Sequence, residues 1–133
     1  MIFIDTNVFI YAAGRDHPYK NPSSKVLELI GLNHIEGVTS VEVIQEILHR
    51  YWYIDKNVEG IYLAKQILKI IDTVFSVECR DIEKAIEVLE KYNLNSRDAL
   101  HVAVMLNRGI NKICSYSKRY LYLIKFIYSN IYT

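Results

Sequence analysis

The sequence contains few residues that break regular structure or cross-link the chain. Its 133 residues include two prolines, five glycines and two cysteines. So little proline and glycine excludes a low-complexity or fibrous protein, and a hydrophobic content of 51% excludes a disordered one. The two cysteines, Cys79 and Cys114, form neither a disulfide framework nor the paired spacing of a zinc site. We expect both to be small buried hydrophobic side chains.

The sequence also lacks an excess of charge and a long apolar run. Sixteen Lys and Arg residues oppose fifteen Asp and Glu residues, giving a formal net charge of +1. Bulk electrostatic attraction to a polyanion is therefore excluded, and any such partner must be bound by a local patch. No apolar run reaches the roughly 18 residues of a membrane span, and the N-terminus does not resemble a signal peptide. The sequence predicts a cytosolic, single-domain protein over residues 1–133 with no membrane partner.

The apolar residues follow a pattern in which strands alternate with helices. Ile2 to Ile4, stopped by Asp5, is typical of a buried strand, and further strands are predicted at 74–77, 112–116 and 122–128. Helices are predicted at 7–12, from a Ser23–Ser24 cap to Gly37, from 39–40 onwards, and at about 58–72, 81–92 and 96–108. In the 81–92 helix the expected inward residues are Ile82, Ala85, Ile86 and Leu89. This alternation indicates an α/β domain with a mostly parallel sheet, whose ligands bind beyond the carboxyl ends of the strands.

Acidic residues stand at three places where such a sheet would bind ligands. Asp5 follows the first strand, where it would cap a helix or point into the crevice. Asp98 lies in the first turn of a strongly apolar helix, where Asn95 could form a capping box with it. Glu42 and Glu46 lie one turn apart on one face of their helix, and the pattern alone favours a solvated face for both. The residues by themselves leave these alternatives open.

Converging carboxylates would need a cation. Two charges about 5 Å apart repel by about 3 kcal/mol at an effective dielectric near 20. Oxygen ligands with few histidines suit Mg²⁺ or Mn²⁺, and the expected chemistry is attack of water on a phosphodiester. A phosphatase with an aspartyl nucleophile is disfavoured, because that chemistry commonly requires a second acid two residues later, where Asn7 stands.

Segments 3–11, 40–48 and 97–103 together resemble PIN-domain nucleases, especially VapC-type toxins. The resemblance implies a PIN-like three-layer α/β/α sandwich with a mostly parallel sheet of about five strands, a Mg²⁺ or Mn²⁺ site and endonucleolytic cleavage of RNA. It assigns the catalytic acids to Asp5, Glu46 and Asp98, with Asp5 and Asp98 on the metal and Glu46 linked through water. Thr6 and Ser115 would support the site. The implied partners are RNA, a second copy of the chain and a VapB-type antitoxin.

The sequence departs from this family at one position. Ser117 stands where the family usually has a fourth acid, and a neutral hydroxyl ligates metal poorly. We therefore expect one metal, with a second site weak or absent, and activity that is low or lost. The alternative is a PIN domain with a degraded site that binds RNA or a protein partner without cleaving.

Several other side chains carry weaker predictions. Arg97 could reach a phosphate or a carboxylate, and Lys118 and Arg119 could contact the RNA backbone. For His101, a position in the core or behind the site is favoured over one lining the cleft. Trp52 is predicted to lie in the core or at an interface, and apolar helix surface at 51–54 and 61–71 suggests a partner.

Overall fold

The strands form one parallel sheet in the structure, a computed structural model that describes residues 1–117. The four strands of this part of the chain are β1 (Ile2–Ile4), β2 (Gly37–Ser40), β3 (Thr73–Phe75) and β4 (Ile113–Cys114). Their order is β3-β2-β1-β4, and each neighbouring pair is parallel. The predicted α/β class with a parallel sheet is confirmed. The strand predicted at 122–128 lies outside the described residues.

The helices form two packing groups. The helices of residues 1–117 are α1 (Thr6–Ala13), α2 (Lys20–Gly31), α3 (Val41–Tyr53), α4 (Asn57–Ile70), α5 (Cys79–Lys91) and α6 (Ser96–Asn107). Helices α1 to α4 pack on one another, whereas α5 packs on α6. Two groups are what a three-layer arrangement requires, because a parallel sheet needs cover on both faces. Within residues 1–117 there is no helix with the length and apolar character needed to cross a membrane.

Strand β1 occupies an interior position of the sheet and determines where the site lies. Phe3 pairs with Val38 of β2 and with Ile113 of β4, and the side chains of Phe3 and Ile4 are completely buried. Because the strands are parallel, their carboxyl ends lie at one edge of the sheet. The residues that follow β1 and β4, Asp5 and Ser115, are therefore neighbours although the sequence separates them by 110 positions.

Strand β2 is not predicted by the sequence pattern. Its four residues lack the apolar run that identifies a buried strand, and Gly37, which was expected to end a helical unit, begins this strand. A Cβ atom at Gly37 would collide with the side chain of Ile30. The glycine is thus required by the close approach of α2 to β2 rather than by a chain reversal.

Helix α2 begins earlier than predicted. It begins at Lys20, and Pro22 is tolerated because it lies in the first turn, where the backbone N–H groups lack helical partners. Ser23 is not a cap but a buried helical residue, whose hydroxyl donates to the Tyr19 carbonyl at 2.6 Å. The loop that joins α1 to α2 therefore comprises residues 14–19.

Helix α5 is rotated relative to the prediction. Ala85 is buried as expected, but Ile82, Ile86 and Leu89 are exposed, and Asp81 and Val88 are buried instead. The prediction for the cysteines also needs correction. Both thiols are free as expected, but Cys79, at the start of α5, is exposed, and Cys114 is only partly buried.

The rotation of α5 follows from an ion pair with α6. Asp81 is completely buried, and the Arg108 guanidinium binds both of its oxygens at 2.7 and 3.0 Å. Asn107 Nδ2 donates to Oδ1 at 2.9 Å, and the Glu78 backbone N–H donates to Oδ2 at 2.9 Å. Burial raises the pKa of Asp81, but Arg108 and these hydrogen bonds outweigh it and lower the pKa to about 2. The pair thus fastens α5 to α6.

We expect Asp81→Asn to destabilise the protein by about 2 to 4 kcal/mol at neutral pH, because it leaves Arg108 without its counter-ion. The folded-state pKa is depressed, so the contribution of Asp81 is present above the usual pKa of 3.8 and is lost as the pH falls toward about 2. Urea unfolding of wild type and variant at several pH values measures both effects. Glu87→Gln, which breaks the exposed Lys84–Glu87 pair, is the control and should change stability by less than about 0.5 kcal/mol. Equal stability of wild type and Asp81→Asn at neutral pH would contradict the assignment.

Candidate active site

Asp5 stands at the carboxyl end of β1 and begins the site. Its Oδ1 accepts a hydrogen bond from the backbone N–H of Thr6 at 2.8 Å, which caps α1. Its Oδ2 accepts one from the Ser115 hydroxyl at 2.6 Å. The carboxylate is only 8% exposed. Asp5 therefore caps helix α1, and it also lies at the edge of the sheet where a ligand would bind.

Ser115 and Asn7 join the ends of β1 and β4. The Ser115 hydroxyl accepts hydrogen bonds from Asn7 Nδ2 at 3.3 Å and from the Ser117 backbone N–H at 3.1 Å. The Tyr116 backbone N–H donates to Asn7 Oδ1 at 3.3 Å. Asn7 was not identified as a site residue from the sequence, and its distance of two residues from Asp5 was the only available signal. Ser117 is thereby held beside Ser115, at the sheet edge.

Tyr116 fixes the segment that follows β4. Its ring stacks on that of Tyr19, with 4.1 Å between centroids and 7° between planes, and Tyr11 meets both rings edge-on. Its hydroxyl lies 3.1 Å from the Tyr19 carbonyl oxygen and 2.8 Å from the Ser23 hydroxyl oxygen, and its one proton can be donated to either acceptor. These contacts keep Ser115 in place beside Asp5.

Glu46 is buried, although its helical pattern favoured a solvated face. The residue is 4% exposed, and each of its carboxylate oxygens faces a positively charged group. Oε2 lies 3.2 Å from Arg50, whereas Oε1 lies 3.3 Å from Arg97 and 3.6 Å from His101 Nε2. Arg97 thus reaches a carboxylate, one of the two options left open for it. Arg50 was not identified as a site residue, because a lone arginine on a polar helix face gives no signal.

The charged form of Glu46 is favoured by its surroundings. Burial raises its pKa, but interactions with His101, Thr6 and Arg50 outweigh burial and lower the pKa. His101 is itself buried, and neither of its ring nitrogens has a hydrogen-bond partner among the described residues. The Thr6 hydroxyl is likewise buried without a hydrogen-bond partner among these residues. Unsatisfied buried polar atoms of this kind are uncommon and often mark functional sites.

Asp98 is the third candidate acid. The Asn95 side chain caps α6 by accepting a hydrogen bond from the Asp98 backbone N–H at 2.8 Å. The second bond, to Asp98 Oδ2 at 3.2 Å, comes from the Asn95 side-chain amide rather than from its backbone N–H, so the contact is not the full capping box that was predicted. Burial raises the pKa of Asp98, and the negative charges of Asp5 and Glu46 raise it further. The three acids therefore lie close enough for their charges to interact.

The other candidate residues lie apart or outside the described chain. Glu42, one turn before Glu46, lines a cavity of about 650 Å³ together with Ile82 and Ile86, and Asn95 and Arg97 line the same cavity. Lys118 and Arg119 fall outside the described residues. Trp52 is exposed rather than in the core, as are Tyr53 and Ile54 beside it.

The oxygen donors at this edge suit a hard divalent cation, but only two of the acids are free to hold one. Across residues 1–117, no three histidine, cysteine, aspartate or glutamate side chains are grouped so that they could hold a metal ion. Mg²⁺, however, is commonly bound by one or two carboxylates and several waters. Asp5 and Asp98 fit this mode, and their mutual repulsion is what a cation would offset. Glu46 does not fit as a direct ligand, because both of its oxygens already face cationic groups.

Comparison with protein families and curated proteins gives one consistent result. The PIN domain family matches residues 2–125. The chain is 38% identical to Ribonuclease VapC13 of Mycobacterium tuberculosis over 120 residues, which are 89% of this chain and 91% of the relative. It is 37% identical to Ribonuclease VapC23 of the same species over 115 residues, 85% of this chain and 90% of the relative.

Solved structures share the fold at low sequence identity. VapC20 of Mycobacterium tuberculosis, described as a sarcin-ricin loop cleaving toxin, aligns with a TM-score of 0.74 and 17% identity over 90% of this chain and 92% of its own. A toxin–antitoxin complex from Klebsiella pneumoniae aligns with a TM-score of 0.64 and 16% identity, covering 89% of this chain and 88% of the other.

We expect Asp5→Asn to lower the pKa of Asp98, because it removes one of the two negative charges that raise that pKa. An NMR titration that follows the Asp98 carboxyl carbon measures the change. Asp55→Asn, which removes an equal charge from an exposed residue, should leave the Asp98 pKa unaltered. If both variants titrated like wild type at Asp98, the two aspartates would not share a site.

Proposed function

The chain belongs to the PIN-domain family, and from this premise we propose that it is a Mg²⁺- or Mn²⁺-dependent endoribonuclease acting as a VapC-type toxin. The observation that carries the proposal is the placement of three buried or partly buried acids: Asp5 ends β1, Glu46 contacts Arg97, and Asp98 follows Arg97 in the first turn of α6. Two relatives that match this chain over about nine-tenths of their own length are named ribonucleases. Their names support RNA as the substrate. The proposed domain is the whole chain, residues 1–133.

Asp5 and Asp98 are the proposed cation ligands. Divalent metal is general among PIN-domain ribonucleases, and the oxygen-only donors of this site favour Mg²⁺ or Mn²⁺ over zinc. The bound cation would lower the pKa of a water molecule and stabilise charge on the scissile phosphate.

The remaining residues of the site hold these ligands in place. Thr6 and Ser115 fix the two oxygens of Asp5, while Asn95 fixes one oxygen of Asp98. Glu46 contributes its negative charge and contacts the site through water rather than by a direct bond.

The proposed partners of the toxin are a VapB-type antitoxin and a second copy of the chain. Exposed apolar side chains on α3, on α4 and between them support a protein-binding surface; these are Trp52, Tyr53, Ile54, Val58 and Tyr62. Their clustering is typical of interfaces. The likeness to a toxin–antitoxin complex agrees with an antitoxin partner. The proposed location is the cytoplasm, where an RNA-cleaving toxin meets its substrate.

A second candidate function is supported by two observations. Ser117 supplies no carboxylate at the sheet edge, and Glu46 is neutralised by Arg50 and Arg97. A PIN domain with these features could bind RNA or a protein partner without cleaving. The two candidates share a fold and differ in whether the acids support hydrolysis.

We expect RNA cleavage that requires Mn²⁺ or Mg²⁺ and falls by at least about 100-fold in Asp5→Asn, which corresponds to about 2.7 kcal/mol in the activation barrier. Gel analysis of a labelled RNA incubated with Mn²⁺ or with EDTA measures the rate. Asp55→Asn is the charge-matched control and should cleave like wild type. Cleavage by Asp5→Asn at the wild-type rate would refute the proposed function.

We expect Ser117→Asp to increase the Mn²⁺-dependent cleavage rate about tenfold, since it adds a negatively charged oxygen donor beside Ser115, equivalent to about 1.4 kcal/mol in the barrier. The same assay measures the gain. Ser24→Asp, an equal change on the exposed side of α2, should have no effect. If Ser117→Asp stayed inactive while wild type and variant both bound RNA, the non-cleaving alternative would replace the nuclease.

A further inference from the structure

Two arginines from different helices converge on the buried carboxylate of Glu46. Arg50 lies one turn after Glu46 on α3, and Arg97 lies in the first turn of α6. Arg50 reaches Oε2 through one terminal nitrogen at 3.2 Å, and Arg97 reaches Oε1 through Nε at 3.3 Å. Glu46 is 4% exposed, but the side chains of Arg50 and Arg97 are 51% and 43% exposed. Each arginine therefore extends from a buried anchor to the protein surface.

With respect to the described residues 1–117, the two arginines retain N–H donors that Glu46 does not use, and they retain positive charge. A guanidinium carries five N–H donors, and each arginine uses only one nitrogen on Glu46. Two guanidinium charges against one carboxylate give these three groups a net charge of +1. Both arginines line one cavity of about 610 Å³, together with His49 and Lys56. A group that carries one negative charge and several acceptor oxygens would complete this arrangement.

We propose that Arg50 and Arg97, held in place by Glu46, bind a phosphodiester group of the RNA beside the cleavage site. This inference rests on the proposed function. Glu46 is then a positioning residue, because it offsets the repulsion between the two guanidinium groups and orients both. Guanidinium groups match the geometry of phosphate oxygens. RNA is favoured over an acidic peptide, because Arg97 directly precedes Asp98 in the first turn of α6, and Asp98 is a proposed cation ligand where the phosphate to be cleaved would lie.

Binding measured without cleavage tests the two arginines. The probe is a short fluorescent single-stranded RNA in EDTA, followed by fluorescence anisotropy over a range of salt concentrations. We expect Arg50→Gln and Arg97→Gln each to weaken RNA binding about five- to tenfold. Each variant should also reduce the slope of log affinity against log salt concentration, by about 0.7 for each phosphate that is no longer neutralised. Lys84→Gln removes the same charge from α5, where Lys84 pairs with Glu87, and should change neither quantity. Circular dichroism melting checks that each variant is folded.

Substitution of Glu46 tests whether it acts through the arginines. In a Glu46→Gln background the guanidinium groups lose their anchor, so the effect of Arg97→Gln on RNA affinity should shrink to less than about twofold. Arg97→Lys, which keeps the charge but not the planar fork, should retain most of the salt dependence while losing affinity. If Arg97→Gln weakened RNA binding equally in the wild-type and Glu46→Gln backgrounds, the positioning role of Glu46 would be refuted.

Three results would overturn the phosphate site. RNA affinities of both arginine variants equal to that of Lys84→Gln would show that neither arginine binds the backbone. A glutamate-rich peptide that bound more tightly than RNA, and lost affinity in the same two variants, would assign the arginines to an acidic protein partner. Arginine variants that bound RNA like wild type, while Asp5→Asn abolished cleavage, would refute this inference and leave the nuclease proposal intact. Conversely, Asp5→Asn that cleaved normally would refute the nuclease proposal and the location of the phosphate beside a cleavage site, but not the binding of RNA by the two arginines, because binding is measured in EDTA.

Discussion

The buried negative charge of Glu46 is the constraint on which the organisation of the site depends. A carboxylate that is removed from water is costly unless cations or hydrogen-bond donors face it. Here Arg50, Arg97 and His101 face it from α3 and α6, and the Thr6 hydroxyl faces it from the start of α1. One charge thus draws three helices together at the carboxyl edge of the sheet, where Asp5 and Asp98 also lie.

Two buried carboxylates of this protein differ in how completely they are satisfied. Asp81 has a bidentate arginine, an amide donor and a backbone donor, and its pKa is about 2. Such a group stabilises the fold and has nothing left to bind. Around Glu46, by contrast, the His101 nitrogens and the Thr6 hydroxyl have no hydrogen-bond partner within the described chain. The pKa of nearby Asp98 is raised, as is common for acids at functional sites.

The sequence pattern predicted those strands and helix caps that depend on interactions between residues close together in the chain. The strand before Asp5 follows from an apolar run, and the caps formed by Asp5, Ser40 and Asn95 follow from side chains that accept hydrogen bonds from nearby backbone N–H groups. The pattern failed where a distant partner decides the outcome. Strand β2 is recognisable only by its pairing with β1 and β3, and the inward face of α5 is set by Arg108, which lies 27 residues after Asp81.

For the site itself, the sequence by itself determined which chemistry is available: oxygen donors at Asp5, Glu46 and Asp98, a serine at position 117, and a resemblance that selected Glu46 over Glu42. Only the tertiary structure decided that Glu46 is buried, that Arg50 and Arg97 neutralise it, and that Asn7 and Ser115 fix Asp5. The physical reason is that the helical pattern of α3 records which side chains are polar. Whether a polar face meets water or the charges of another helix depends on the packing of α1 and α6 against it.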